Sequence, residues 1–137
     1  MSTAHQILVT LLDALNTHDL TRLPTVFSPF FRGTDCAQAG VIRGLDGLEA
    51  SLQCYLTAFP DLSLHLIDAQ IGEQGVAVYW TARGSHRGMW MHIPPTGREV
   101  NVQGMWMLHV EKGRIVRARS VWDVAGLLRT IGLLPDL

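Results

Sequence analysis

Apolar residues recur three and four apart at the start of the chain. Ile7, Leu8, Leu11, Leu12 and Leu15 fall on one stripe, which predicts an amphipathic helix capped by Ser2 or Thr3. "NTHD" (16–19) breaks it, and a short second helix follows around "LTRLPTVFS", with Pro24 in a tolerated first-turn position. "SPFFRGTDCAQAGVIRG" has no clear period and predicts a short strand with loops. Leu48, Leu52, Tyr55, Leu56 and Phe59 predict a third helix, with Asp46 as its N-cap and Pro60 as its stop. After Pro60 the period changes to two. "LSLHLIDAQIG", "VAVYWTARGSHRG", "VNVQGMWMLHV" and "IVRARSVW" read as strands. "EKGR" (111–114) is a two-residue hairpin loop of the primed type. A last short helix, Val124–Ile131, follows Asp123.

Helices first and a strand meander afterwards predict an α+β fold: a curved antiparallel sheet wrapped around the N-terminal helices, cone-shaped, with an internal pocket. The 137 residues fit one domain, 1–137. No repeat or linker interrupts it.

Composition narrows the function classes. The chain is 47% hydrophobic and 17% charged with a net charge of −1, which suits a packed globular core and argues against nucleic-acid and acidic-lipid partners. No apolar run approaches the roughly 20 residues of a membrane span, and the N-terminal stretch reads as a helix rather than a leader. The expected location is therefore the cytoplasm. Cys36 and Cys54 form no C-x-x-C pair, and the six histidines show no metal-ligand spacing, so no metal site is expected. Lys112 is the only lysine. The arginine excess reads first as coding bias and second as a role for single arginines in holding carbonyls or carboxylates.

Several segments carry a family signal together: "GSHRG" as G-x-H-x-G, "IPPTGR", the turn before "RIV", and "VWDVAGLL" as W-D-x-x-G-L-L. From about Phe59 to Pro135, and more loosely in the first helix, the chain resembles the SnoaL-like polyketide cyclases (ester cyclases) of the nuclear transport factor 2 superfamily. The resemblance implies a cone fold and a hydrophobic carbonyl substrate of polyketide type. It also implies acid/base aldol ring closure without metal or cofactor, and a homodimer through the sheet's outer face. The family's acid/base aspartate corresponds to Asp123, and its G-x-H-x-G histidine to His86, which would bind a substrate oxygen or stabilise an enolate.

Each residue also has a plainer reading. Asp123 precedes an apolar-periodic run, as an N-cap does. His86 is placed to close a strand end. Gln103 and His109 share one strand face and Trp106 lies on the other. A regular turn at Lys112-Gly113 pairs Trp106 with Arg119 and Val102 with Asp123, and a bulge would reverse this. Arg119 stands where relatives often carry an aromatic. Inside the pocket it would pair with Asp123 and weaken it as a base; the plainer reading is a solvent-facing strand arginine. Trp80 and Trp106 suit a pocket lining or plain core. Trp90 lies in a loop where nothing in the pattern forces burial, so it suits a pocket mouth or a partner contact.

Asp35, in "FFRGTDC", reads first as a loop or turn residue, and it also offers a rival site. Ketosteroid isomerases of the same superfamily place a catalytic aspartate at a similar distance before a glycine such as Gly44. Their oxyanion donor is a tyrosine on the first helix, where this chain has Leu11. The remaining function classes are a non-catalytic small-molecule-binding module, an isomerase and an epoxide hydrolase.

Overall fold

The computed structural model describes residues 3–136. Helix α1 (Thr3–Asn16) buries Ile7, Leu8, Leu11, Ala14 and Leu15, the stripe its spacing predicts, with Ala14 taking the share expected of Leu12. Ser2, one of the two candidate caps, lies outside the described residues. A 3-10 turn (Leu20–Arg22) leads into α2 (Leu23–Val26), with proline in its first turn. Helix α3 (Gly44–Ala58) starts earlier than expected. Its N-cap is Arg43 without a side-chain cap, and Asp46 lies in the first turn, where its charge still favours the helix dipole.

The sheet has six strands: β1 (Phe27–Asp35), β2 (Ile42–Arg43), β3 (Ser63–Ile71), β4 (Gly75–Ser85), β5 (Glu99–Glu111) and β6 (Arg114–Trp122). Their order is β2-β1-β6-β5-β4-β3. Strands β3 to β6 form the expected antiparallel meander. The sheet as a whole is mixed, because β1 pairs with β6 in parallel. This corrects the all-antiparallel expectation. The segment read as mostly irregular is a nine-residue strand, with a register shift between Phe27 and Arg32. Pro29 falls in that shift, where its missing N–H breaks no ladder bond.

The Glu111–Arg114 turn carries positive φ at Lys112 (51°) and Gly113 (76°), as a primed hairpin requires. A second register shift lies between His109 and Val110. It moves every later pair by one residue, so Trp106 faces Ser120 and Met107 faces Arg119.

Inward residues of β4 (Val76, Val78, Trp80, Ala82) and Leu108 and Ile115 pack against α1, α2 and Phe27 and Phe31. A second cluster joins Ala58, Phe59, Trp90, Val100, Leu127 and Ile131 at the other end of the sheet. It holds α4 (Val124–Thr130) against β5. No described helix is long and apolar enough to cross a membrane.

Candidate active site

Between the two clusters, α1, α3 and the sheet's inner face enclose an apolar cavity of about 160 Å³. That matches the roughly 150 Å³ of an engineered apolar cavity that takes up benzene, so at least one ring fits. Leucines, Phe31, Trp80 and Trp106 form much of the wall, and the two indoles lie 5.5 Å apart. The polar side chains of the lining include Asp35, Ser51, Tyr55 and Ser120. Among the described lining residues, Asp35 is the only carboxylate, and none is Arg, Lys or His.

Asp35 reaches this place by strand alternation. Phe31, Gly33 and Asp35 are buried in turn along β1, while Arg32 and Thr34 are exposed. Asp35 is buried, 8% exposed, and its carboxylate accepts three hydrogen bonds. The backbone N–H of Ala37 and the indole N–H of Trp122 donate to Oδ1 at 2.8 and 3.1 Å, and the Tyr55 hydroxyl donates to Oδ2 at 2.7 Å. A buried carboxylate needs such donors. Tyr55 comes from α3, four residues after Ser51, which donates to Gln38 at 2.9 Å. Burial, and then the charge of Asp35, push the Tyr55 phenol well above its ordinary pKa, so it stays protonated and acts as a donor.

Aromatic rings back this group. Tyr55 meets Trp122 edge-on at 5.9 Å, and Trp90 lies 6.5 Å from Tyr55 and 5.9 Å from Trp122. Trp90 is thus a 2%-exposed core residue behind the pocket wall, neither mouth nor partner contact. Its loop is pinned by paired backbone bonds between Trp90 and Ile93 (3.0 and 2.8 Å) around Met91 and His92, both at positive φ.

The structure separates the other candidates from this cavity. Asp123 is exposed. Trp122 takes the inward position opposite Gly104, and alternation turns Asp123 outward, with its N–H on the Gln103 carbonyl at 3.0 Å. Its Oδ1 accepts from Gly126 N–H at 2.9 Å as the N-cap of α4. A Cβ on Gly126 would lie 2.2 Å from that carboxylate, so the glycine of W-D-x-x-G leaves room for the cap. Asp123→Ala should therefore lower stability by about 0.5–2 kcal/mol in urea unfolding. An unchanged midpoint would show that the cap does not matter.

His86 is fully buried outside the cavity lining, stacked 5.5 Å from Phe59. Its Nδ1 accepts from Thr96 N–H at 3.3 Å and lies 3.0 Å from the Thr96 hydroxyl. Burial holds its pKa below the ordinary imidazole value. The unfolded chain then binds a proton that the native one refuses. Stability should fall as pH drops below about 6.5, and His86→Gln should flatten that part of a thermal-melting pH profile. An equally steep profile in the variant would assign the effect elsewhere.

Arg119, Gln103 and His109 all lie on the sheet's outer face. The bulge at His109–Val110 places Arg119 opposite Met107 instead of Trp106, so Arg119 is the solvent-facing strand arginine of its plainer reading and does not enter the pocket. Tyr79 hydrogen-bonds Gln103 on that outer face. Trp80 and Trp106 do line the cavity.

Sequence reasoning missed Tyr55, which it took only as part of an apolar stripe, and the indole N–H of Trp122. A tyrosine does meet Asp35, but from α3 instead of the first helix. Helix periodicity makes Tyr55 inward. Nothing local makes it face β1, twenty residues earlier. Among the described residues, no group of three or more His, Cys, Asp or Glu side chains is placed to hold a metal ion.

Solved structures share this architecture. One is a protein provisionally named as a SnoaL-like polyketide cyclase from Jannaschia sp. CCS1, 18% identical with a TM-score of 0.88 over 97% of this chain and 94% of that one. TsrD from Streptomyces laurentii is 26% identical, with a TM-score of 0.86 over 96% of each chain. IdmH from Streptomyces antibioticus, provisionally a polyketide cyclase, is 26% identical, with a TM-score of 0.83 over 96% of this chain and 99% of that one. No significant match occurs among curated proteins. The family model for SnoaL-like polyketide cyclases matches residues 5–131. With the α+β cone and its apolar pocket, the match leads to one conclusion: this chain belongs to the SnoaL-like polyketide cyclase family.

Proposed function

We propose that the protein is a cyclase-type enzyme for a neutral, hydrophobic carbonyl compound of polyketide type, and that Asp35 is its acid/base. Family membership supports a cyclase-type role in general terms. One observation carries the assignment to Asp35: it is the only carboxylate among the described lining residues of an apolar cavity, with a protonated phenol on it. A substrate portion bearing a carboxylate would find no cation in that wall.

In this reading Asp35 takes a proton from the carbon next to a carbonyl, and the C–H electron pair passes into that carbonyl as an enolate. As the carboxylate gains the proton, the Tyr55 hydroxyl is released to donate to the enolate oxygen. The enolate carbon attacks a second carbonyl of the same molecule and forms a C–C bond. The alkoxide so produced takes the proton back from Asp35. Trp122 and Ala37 hold the carboxylate in place, and the apolar wall excludes water that would otherwise protonate the enolate.

The test is solvent-deuterium incorporation into a panel of hydrophobic β-dicarbonyl compounds, followed by NMR. Protein-dependent exchange at the activated carbon is expected. Saturable binding without exchange would favour a second reading, a binding module, which has an observation of its own: three donors already occupy the Asp35 carboxylate. If the proton transfer belongs instead to Asp123 or His86, exchange will depend on those residues and survive changes at Asp35.

A further inference from the structure

Three polar side chains on the cavity wall bond within the protein. Asp35 accepts three hydrogen bonds, Tyr55 donates to Asp35, and Ser51 donates to Gln38. Ser120 differs. Among the described residues its hydroxyl has no hydrogen-bond partner, yet it is not sealed off, since Ser120 is half-buried and lines the cavity. Register fixes where it stands. Ser120 follows Ala118 and precedes Trp122 in the inward alternation of β6. It lies directly beside Asp35 of β1 on one side and Trp106 of β5 on the other. An acid, a hydroxyl and an indole thus form one row across the inner face.

Polar groups inside a protein are as a rule hydrogen-bonded within it. A hydroxyl that faces an apolar cavity without a partner is free to donate to what the cavity holds. The indoles of Trp80 and Trp106 also make no hydrogen bond among the described residues, but they are worse placed. The Trp80 N–H is itself buried, out of a ligand's reach, and Trp106 stands two strands from Asp35 instead of one.

We infer that the Ser120 hydroxyl binds a second carbonyl oxygen of the ligand. In the cyclase reading proposed above, on which this part rests, that carbonyl is the one the enolate attacks. The spacing supports it. Adjacent strands lie about 4.7–4.9 Å apart, and an attacked carbon must come within about 3–3.5 Å of its nucleophile. A carbonyl held one strand from the base meets that condition. The two reacting oxygens then have separate donors: Tyr55 from α3 for the enolate, and Ser120 from β6 for the alkoxide that forms on attack. Ser120 keeps its own proton, and the alkoxide takes its proton from Asp35. The substrate class narrows accordingly. It carries at least two neutral carbonyls on a chain that folds back on itself, and a compound with only the first would exchange protons without using Ser120.

The probe is a phenyl-substituted β-diketone whose chain ends, three methylene groups further on, in a methyl ketone labelled with carbon-13. Attack by the carbon between the first two carbonyls on the labelled ketone closes a six-membered ring. Bound to the wild type, the labelled carbon should resonate downfield of its position in Ser120→Ala, as a hydrogen-bonded carbonyl does. Ser120→Thr, which keeps the hydroxyl, should restore the wild-type position. In deuterium oxide the ratio of ring closure to exchange at the activated carbon should fall about 10²-fold in Ser120→Ala. The urea midpoint of that variant should match the wild type, because the lost hydroxyl has no partner in the protein. A probe that does not bind, a carbon-13 position that ignores Ser120→Ala, or an unchanged ratio of closure to exchange overturns the proposal. Absence of exchange in the wild type, with the Ser120-dependent signal intact, sinks the acid/base reading alone and leaves Ser120 as a donor to the ligand.

Discussion

Asp35→Asn is expected to lower the rate of protein-dependent proton exchange by about 10²–10⁴-fold while leaving the fold in place. Asparagine has nearly the same shape. Its oxygen at the Oδ1 position still accepts from Ala37 N–H and the Trp122 indole, and its amide can donate to the Tyr55 hydroxyl, which turns to accept. What disappears is the ability to take a proton. Asp123→Asn serves as the comparison, because an exposed cap on α4 has no path into the cavity in this structure. The expected ranking is wild type and Asp123→Asn close together, with Asp35→Asn far below both. The opposite ranking would return the acid/base role to Asp123 and leave Asp35 as a buried structural anchor.

Gly104→Ala should destabilise the fold through a single added methyl. Gly104 lies on the inward face of β5, opposite Trp122 on β6 and Trp80 on β4. A Cβ there would lie 2.4 Å from Cζ2 of Trp80 and 2.6 Å from Cβ of Trp122. The Trp80 ring cannot retreat freely, because it is 6% exposed and stacked on Trp106. The Trp122 Cβ moves only with its backbone. Overpacking of this kind costs about 1–3 kcal/mol, sometimes more. It should also shift the Trp122 indole away from Asp35. Urea unfolding followed by tryptophan fluorescence measures the first effect, and affinity for a hydrophobic carbonyl ligand the second. A variant with wild-type stability and affinity would mean that the two rings do not hold the carboxylate.

Much of the architecture is legible locally. The stripe on α1, the period of two in β3 to β6, the primed turn at Lys112-Gly113 and the stop at Pro60 are each set by residues close together in sequence. Motif matching was legible too, since G-x-H-x-G and W-D-x-x-G-L-L mark the family. The structure nevertheless gives His86 a buried bond network and Asp123 a capping role. A motif reports that a residue matters, without saying whether it matters for folding or for chemistry.

Two local irregularities hid the rest. The shift at His109–Val110 inserts one residue of offset into a strand with a side-chain period of two. Which face Gln103, Trp106 and His109 share with Asp123 therefore turned on that one residue. The shift near Pro29 masked β1 as loop, and with it the inward position of Asp35. No short-range pattern marks either bulge, since its stability depends on the partner strand.

The sequence by itself determined the helices, the four-strand meander, their order and the family, because periodicity and turn chemistry act over a few residues. Only the tertiary structure decided which carboxylate faces the cavity. Asp35, Tyr55 and Trp122 come from β1, α3 and β6, and they meet because β1 inserts in parallel beside β6 while α3 packs across it. Such a meeting rests on long-range register, which one bulged residue can reverse and no local preference encodes.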